Sequence, residues 1–461
     1  MSIISRFLRE QERYTTDWLA ELFELDGSRK DEFFRDMLAA GVLKRVLPKE
    51  NGDTGSLVAF KFVGVIIYGD CVLKVFPKYI HKEKTPSREL KQALAAIEKC
   101  SKGMGRWVMD TSDGAEGEGI LSTIASLVED YREYGLYTAD EHIIEENGNG
   151  DILWQKTIDE TYPIITEGRP YYFTLYTRKT ADDEHDYFVR LHAAVLKDCS
   201  KRMEEAGLFD LFGLDSIPVE GDSLESFGEV DYIMSRILRE LSVQFGTRNQ
   251  RVLRLMHAYL AKEPTLRQEV PCMSIYGTSS FHVVWEKACA EVFGDKLHEP
   301  LKNLPVPERV RSEYGEDTRL IELIQKPAWC VWQDGWHHKR ATETLTPDFV
   351  SFDGDTMVIL DAKYYDPVFG SRLARQPGIE SVTKQYLYQQ AYRRFAEGCG
   401  FRRFVNCFVF PTEEPSSSRK GFVHLGFMKK LGLEDIRIRM LPAGKVLKCY
   451  ANGKMMGMEW L

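Results

Sequence analysis

LTPDFVSFDGDTMVILDAKYYD, residues 345–366, is the stretch on which the reading of the chain turns. β-Branched and aromatic residues alternate with small or polar ones on both sides of Asp353-Gly354. That pair favours a tight hairpin turn, so the stretch predicts two antiparallel strands. Asp361 and Lys363 are two apart on the second strand and share one face. A two-residue turn at Asp353-Gly354 pairs Phe352 with Asp355 and Asp348 with Ile359, whose parity is that of Asp361. A four-residue turn sets Asp348 directly opposite Asp361. Only a three-residue turn would separate the three polar groups. Val358, Leu360 and Ala362 form the other face, which is apolar and can pack on a core.

Two carboxylates and a lysine on one face of a hairpin require an explanation. Close carboxylates repel and push a pKa upward unless a cation lies between them. Mg²⁺, held by one or two carboxylates, water and a phosphate, answers that need, with Mn²⁺ as a substitute. Such a metal polarises a phosphate and acidifies a bound water, and Lys363 is placed to orient that water or stabilise developing charge. The competing explanation is a plain Asp–Lys ion pair on a solvent-facing strand. An acidic-x-Lys triplet follows a given Pro-Asp within twenty residues with a chance of roughly one in seven. The weight of the pattern therefore comes from its strand context.

Outward from the hairpin, SFHVVWEKACAEVFG at 280–294 predicts an amphipathic helix carrying Glu286, and AWCVWQD at 328–334 a strand. SVTKQYLYQQAYRRFAEG at 381–398 predicts a helix with Gln385, Tyr388, Gln389 and Tyr392 on one face. RRFVNCFVFP at 402–411 predicts a further strand. Residues 361–461 carry 17 Lys plus Arg against 9 Asp plus Glu, whereas the whole chain has a net charge of −9. A basic C-terminal block on an acidic protein points to a localised polyanion contact, Lys384, Arg393, Arg394, Arg402 and Arg403 being the candidates; a solvated face is the bland alternative.

Upstream, a chain of 461 residues exceeds one ordinary core. Ser5 to Arg13, Thr16 to Glu24 and Ser28 to Ala40 have helical periodicity, with Thr16 and Ser28 as N-caps and Gly41 as the stop. With the following VLKRVLP they resemble a winged-helix module. LVAFKFVGVIIY, Gly69-Asp70 and CVLKVFPKYI predict a hairpin over 56–80, and Thr85-Pro86 opens a helix. The Gly- and acid-rich stretches 110–119 and 145–151 read as loops. LHAAVLKDCSKRMEEAGL and VDYIMSRILRELSVQF predict helices, with His192 as a packing histidine. No apolar run reaches a membrane span, and the N-terminus lacks a signal-peptide pattern. Nine scattered cysteines without a Cys-x-x-Cys pair read as reduced thiols of a cytoplasmic protein without structural zinc.

The order helix, three strands, helix, strand, with the acidic motif on the second and third strands, resembles the PD-(D/E)XK nuclease fold. That resemblance implies that Asp348 and Asp361 bind Mg²⁺, that Lys363 assists the attacking water, and that Glu286 joins the metal site. Gln385 with Tyr388 resembles the Gln-and-Tyr helix motif that positions DNA in such nucleases, although the three-residue spacing leaves open which of Gln385, Gln389, Tyr388 and Tyr392 matches. FVGVIIYGDCVLKVFPKYI, RLHAAVLKDC and VVWEKACAEVFG together resemble the LlaJI-type restriction endonuclease family, whose members are similar to the McrC nuclease subunit.

The expectation is thus a mixed, multi-domain α/β chain. Its parts are a winged-helix-like module over 1–48, an α+β region over 49–150, a helix-rich middle over 151–268 and a PD-(D/E)XK nuclease core over 269–461. The resemblance implies a substrate of double-stranded DNA, a role in phage defence and a partner NTPase of the McrB type, a GTPase or AAA+ motor. The chain has no Gly-x-x-x-x-Gly-Lys-Ser/Thr sequence of its own. One nuclease centre cuts one strand, so breaking a duplex calls for a dimer. The alternative is a DNA-binding or recruitment subunit without cleavage activity.

Overall fold

A computed structural model of the chain describes residues 3–47, 56–102, 120–138, 142–148, 151–180, 187–213, 216–262, 273–332, 336–370 and 373–461. The expected loop at 110–119 lies outside them. Of the loop expected at 145–151, the first two residues instead end a strand, His142–Glu146. The fold mixes helix and sheet and divides into two compact units. One holds residues 115–209 and 214–274 with the first three residues; the other holds 4–114, 210–213 and 275–461.

In the first unit, helices Ile120–Tyr134, Tyr187–Glu205, Val230–Val243 and Thr247–Lys262 pack on one another. His192 is fully buried there, as its apolar setting predicts, and its Nδ1 accepts a hydrogen bond from the Tyr137 backbone N–H at 2.9 Å. Arg248 closes the group by pairing with buried Asp130 at 3.1 Å.

The second unit carries the hairpin, preceded by the helix Phe281–Phe293 (α1). Phe349–Asp353 (β1) and Thr356–Ala362 (β2) pair antiparallel with Phe349 opposite Leu360. The turn falls at Gly354-Asp355, one residue later than expected, with Gly354 at φ +56°. A glycine at the first of two turn positions suits the hairpin's twist. Helix Ile379–Cys399 (α2), stopped by Gly400 in the left-handed region, crosses to Arg403–Thr412 (β3), which runs parallel to β2. Ser418–Val423 (β4) and Ile436–Pro442 (β5) complete a sheet of order β1-β2-β3-β5-β4.

Both faces of β2 are covered, since all seven of its residues are buried. Met357 and Ile359, on the parity of Asp361, pack with Val350, Tyr388, Tyr392 and Phe395. The face expected to be polar is therefore core along most of its length, and only its end carries charge. Helix α1 contacts both β1 and β2.

Ala328–Trp332 does not join this sheet. It pairs with Trp336–Arg340 as a separate two-stranded ribbon, because a partner only a few residues away closes a ladder at low loop cost. The expected first core strand is thus absent from the sheet.

A second sheet is ordered Ile4–Arg9, Cys71–Phe76, Val63–Tyr68, Met273–Thr278, its first three strands in this unit. Tyr68 pairs with Cys71 around Gly69-Asp70, as predicted. Ile4–Arg9 is a strand parallel to Cys71–Phe76, and the helix expected at 5–13 does not form. Its buried residues are Ile4 and Leu8, and a spacing of four fits both a helix and a strand. The helices that follow are Thr16–Leu22 and Gly27–Ala39, the first capped by Thr15 rather than Thr16 and the second by no side chain. Gly64 and Gly277 let two backbones meet: a Cβ on Gly64 would lie 2.2 Å from the Tyr276 carbonyl oxygen.

Candidate active site

The β1–β2 register sets Asp348, one residue before β1, opposite Asp361. Pro347 holds the chain extended on entry. The Asp348 Oδ2 accepts the Ala362 N–H at 2.9 Å, so this carboxylate also closes the end of the ladder. Asp361 is 4% exposed, at the second-last position of β2. One residue past that strand, the Lys363 backbone is fixed by its N–H to the Val409 carbonyl oxygen at 2.9 Å. Its Nζ lies 2.8 Å from Asp361 Oδ1. The angle of that ion pair leaves Oδ1, a buried atom, without a well-directed hydrogen bond.

Burial, then the neighbouring Asp361 carboxylate and Glu286, push the Asp348 carboxyl well above the usual carboxylate range. Glu286, on α1, is half-buried and also raised, by burial first and then by Asp361, against the pull of Lys363. Burial works to lower the Lys363 amine, but the Asp361, Asp348 and Glu286 carboxylates outweigh it and hold the group up. The site thus concentrates more negative charge than one ammonium group balances.

Among the described residues, no three His, Cys, Asp or Glu side chains are gathered closely enough to enclose a metal by themselves. Glu286 therefore stands within the field of the pair without completing a three-carboxylate cage. Two opposed carboxylates, one of them with a buried oxygen lacking a directed donor, still fit the donor set of Mg²⁺, which takes its remaining ligands from water and phosphate.

The other candidates divide. Tyr388 packs against Met357 and Ile359, feels the charges of both aspartates, and donates its hydroxyl to the Thr346 carbonyl oxygen at 2.9 Å. Gln385 is wholly buried; its Nε2 donates to the Ile359 carbonyl oxygen at 3.2 Å and to Asn406 Oδ1 at 2.6 Å. That amide ties α2 to the sheet and does not reach an open surface. Gln389 accepts from the Glu434 N–H at 3.0 Å, and Tyr392 donates to the Leu320 carbonyl oxygen at 3.2 Å.

Lys384 pairs with Glu380 at 2.6 Å on the first turns of α2, where Lys363 also acts on Glu380. Arg393 pairs with Glu397 at 3.2 Å and Arg394 with Glu313 at 2.8 Å. Arg403 pairs with Asp355 at 2.7 Å and stands in register with Thr356. Arg402 is its neighbour, so both lie at the turn end of β2, on the order of 16 Å from Asp361 along the strand. The structure does not bring these two arginines to the carboxylates.

An open cavity of about 660 Å³ runs from Glu286 and Lys363 toward the N-terminal sheet. Its wall includes Glu10, Lys78 and Tyr364, none of which the sequence reading singled out. The Tyr364 hydroxyl donates to Glu10, and Lys78 Nζ sits 4.2 Å from the centre of the Tyr364 ring. The residue after Lys363 is thereby anchored to the segment that follows the strand Ile4–Arg9. Glu10 was hidden by the helix expected over 5–13, because its pairing depends on a strand there.

Comparison with known proteins follows the same lines. The model of the LlaJI restriction endonuclease family matches residues 62–314 and 310–441. The chain is 28% identical over 420 residues to the type II restriction enzyme BsuMI component YdjA of Bacillus subtilis strain 168, covering 87% of this chain and 83% of that one. Among solved structures, a half-complex of Thermococcus gammatolerans McrB AAA+ hexamers with bound McrC aligns over 97% of this chain and 99% of the other, at 12% identity and a TM-score of 0.34. The McrBC complex of the same organism aligns over 55% of this chain and 79% of the other, at 14% identity and a TM-score of 0.22. The family match spans most of the chain, which belongs to the LlaJI restriction endonuclease family.

Proposed function

We propose that this chain is the DNA-cleaving subunit of a restriction system, hydrolysing phosphodiester bonds at Asp348, Asp361 and Lys363. The observation that carries the reading is the direct opposition of the two aspartates in the hairpin register, with Lys363 Nζ 2.8 Å from Asp361. A PD-(D/E)XK core is the fold reading that goes with it, supported by the parallel β2–β3 pair that α2 connects.

Asp348 and Asp361 would hold Mg²⁺, or Mn²⁺ in its place, which supplies Lewis-acid activation of the phosphate and an acidified water. Asp348 is held in place by the Ala362 N–H, so its second oxygen is the one left to bind. Lys363, kept charged by three carboxylates, can donate to the attacking water or to a phosphate oxygen as charge builds there. Glu286 lies beside both groups, positioned to hold a water at the edge of the site. Tyr388 and Gln385 keep α2 seated on β2, and so fix the position of the strand that bears Asp361.

The relative from B. subtilis is named as one component of a restriction enzyme, which supports a subunit that works with others. The sequence resemblance makes an McrB-like NTPase the partner of choice, and this chain carries no phosphate-binding loop of its own. The test is plasmid cleavage by the purified chain with and without its genomic-neighbour NTPase, in Mg²⁺ or EDTA, beside Asp361→Ala. Mg²⁺-dependent cutting that the substitution abolishes supports the reading. Cutting by Asp361→Ala at the wild-type rate would place the chemistry elsewhere.

A further inference from the structure

The cavity beside Glu286 and Lys363 is also lined by basic groups that the chemistry above does not use. Lys61, on the connection between strands Leu57–Phe60 and Val63–Tyr68, is exposed there. Lys78 and His282 line the same cavity, His282 on the first turn of α1. Burial, then the charges of Lys78 and Lys61, hold the His282 imidazole below its usual range, so the three groups lie in one positive field. Burial holds the Lys78 amine below its usual range, against the pull of Glu10 and Asp366, and the Glu10 carboxylate is engaged by the Tyr364 hydroxyl and the Lys78 backbone N–H. Among the described residues no carboxylate comes within ion-pair distance of the side chains of Lys61, Lys78 or His282. The cavity's other cations are balanced locally: Arg9 with Glu12 at 3.1 Å and Arg375 with Asp366 at 2.5 Å.

Two ammonium groups and an imidazole in a groove that also reaches Lys363, itself 2.8 Å from Asp361, make a layout for a polyanionic strand. Its phosphates are attracted by the lysines, and beside Asp348 and Asp361 they are repelled unless a cation intervenes there. Resting on the nuclease reading above, we propose that Lys61, Lys78 and His282 form a phosphate-binding wall that holds the DNA backbone beside the scissile bond. The lysines supply charge and the imidazole a ring N–H donor. The N-terminal sheet thereby becomes part of the substrate site. Only phosphate contact is assigned to these residues; base recognition is not.

The test is the affinity of the full chain for a short labelled duplex in EDTA, where nothing is cut, measured across a salt series. Lys61→Glu is the main variant, since its exposed side chain leaves the fold intact, and Lys78→Gln is the second. Lys61→Glu is expected to weaken binding about tenfold, and removing each lysine to reduce the slope of log affinity against log salt by about one. Lys61→Arg is expected to keep both affinity and slope. Unchanged affinity and slope in Lys61→Glu and Lys78→Gln, or a wild type that binds no DNA, would overturn the proposal. A wild type that binds with this salt dependence yet never cuts supports the wall and counts against the nuclease reading alone.

Discussion

At the residue scale, Lys363 and His192 show how burial acts on two groups in different ways. Lys363 stays charged because carboxylates surround it, whereas His192 sits in an apolar bundle where burial, then Arg248, lower its pKa to about 4. Removing the lysine as Lys363→Met is expected to cut the cleavage rate by on the order of a hundredfold or more, with DNA affinity reduced far less. Single-turnover rates at saturating DNA would check this, and a rate within a few-fold of wild type would remove Lys363 from the chemistry. For His192 the folded value is depressed below the unfolded one, so its contribution is complete above about pH 6.5. It is lost as pH falls toward 4, on the order of 3 kcal/mol in all. Urea unfolding of the helical unit between pH 7 and 4, compared with His192→Gln, should show a steeper loss in the wild type.

At the element scale, the hairpin was legible because parity survives an error in the turn. The turn moved by one residue to Gly354-Asp355, and Asp348 still came to face Asp361. The strand Ile4–Arg9 was not legible, since Ile4 and Leu8 satisfy either period and only pairing with Cys71–Phe76 decides. Ala328–Trp332 was correctly a strand, but its pairing depends on a near neighbour that periodicity does not report. The same limit applied to Gln385: its type and helix face were readable, its depth was not. Because its amide bridges α2 to Ile359 and Asn406, Gln385→Ala is expected to cost about 1–3 kcal/mol of stability. A residue that only touched DNA would lower activity and leave the denaturation midpoint where it was. Tyr364→Phe bears on the other anchor: loss of the bond to Glu10 should loosen the strand end that carries Lys363, seen as faster amide exchange at residues 362–365.

At the scale of the whole molecule, the candidate catalytic groups share one compact unit with strands Ile4–Arg9, Val63–Tyr68 and Cys71–Phe76, while the helical bundle of His192 lies in the other. Composition divided the chain near residues 48, 150 and 268; pairing between residues 4–9 and 71–76 is a long-range fact that composition does not carry. No helix among the described residues is long and apolar enough to cross a membrane. On the proposed reading, the one carboxylate pair among the described residues cuts one strand per visit, so a duplex break needs two chains. Doping wild type with Asp361→Ala copies should convert linear product into nicked circles, and linear product that falls only in proportion to the wild-type share would argue for a single centre cutting both strands.

Asp348 and Asp361 are proposed to hold the catalytic metal. Calorimetric titration of Mn²⁺ into the chain bound to an uncleavable phosphorothioate duplex tests it most directly. A saturable site is expected in the wild type, lost or weakened by about tenfold or more in both Asp348→Asn and Asp361→Asn. Wild-type Mn²⁺ binding in both folded variants would contradict it.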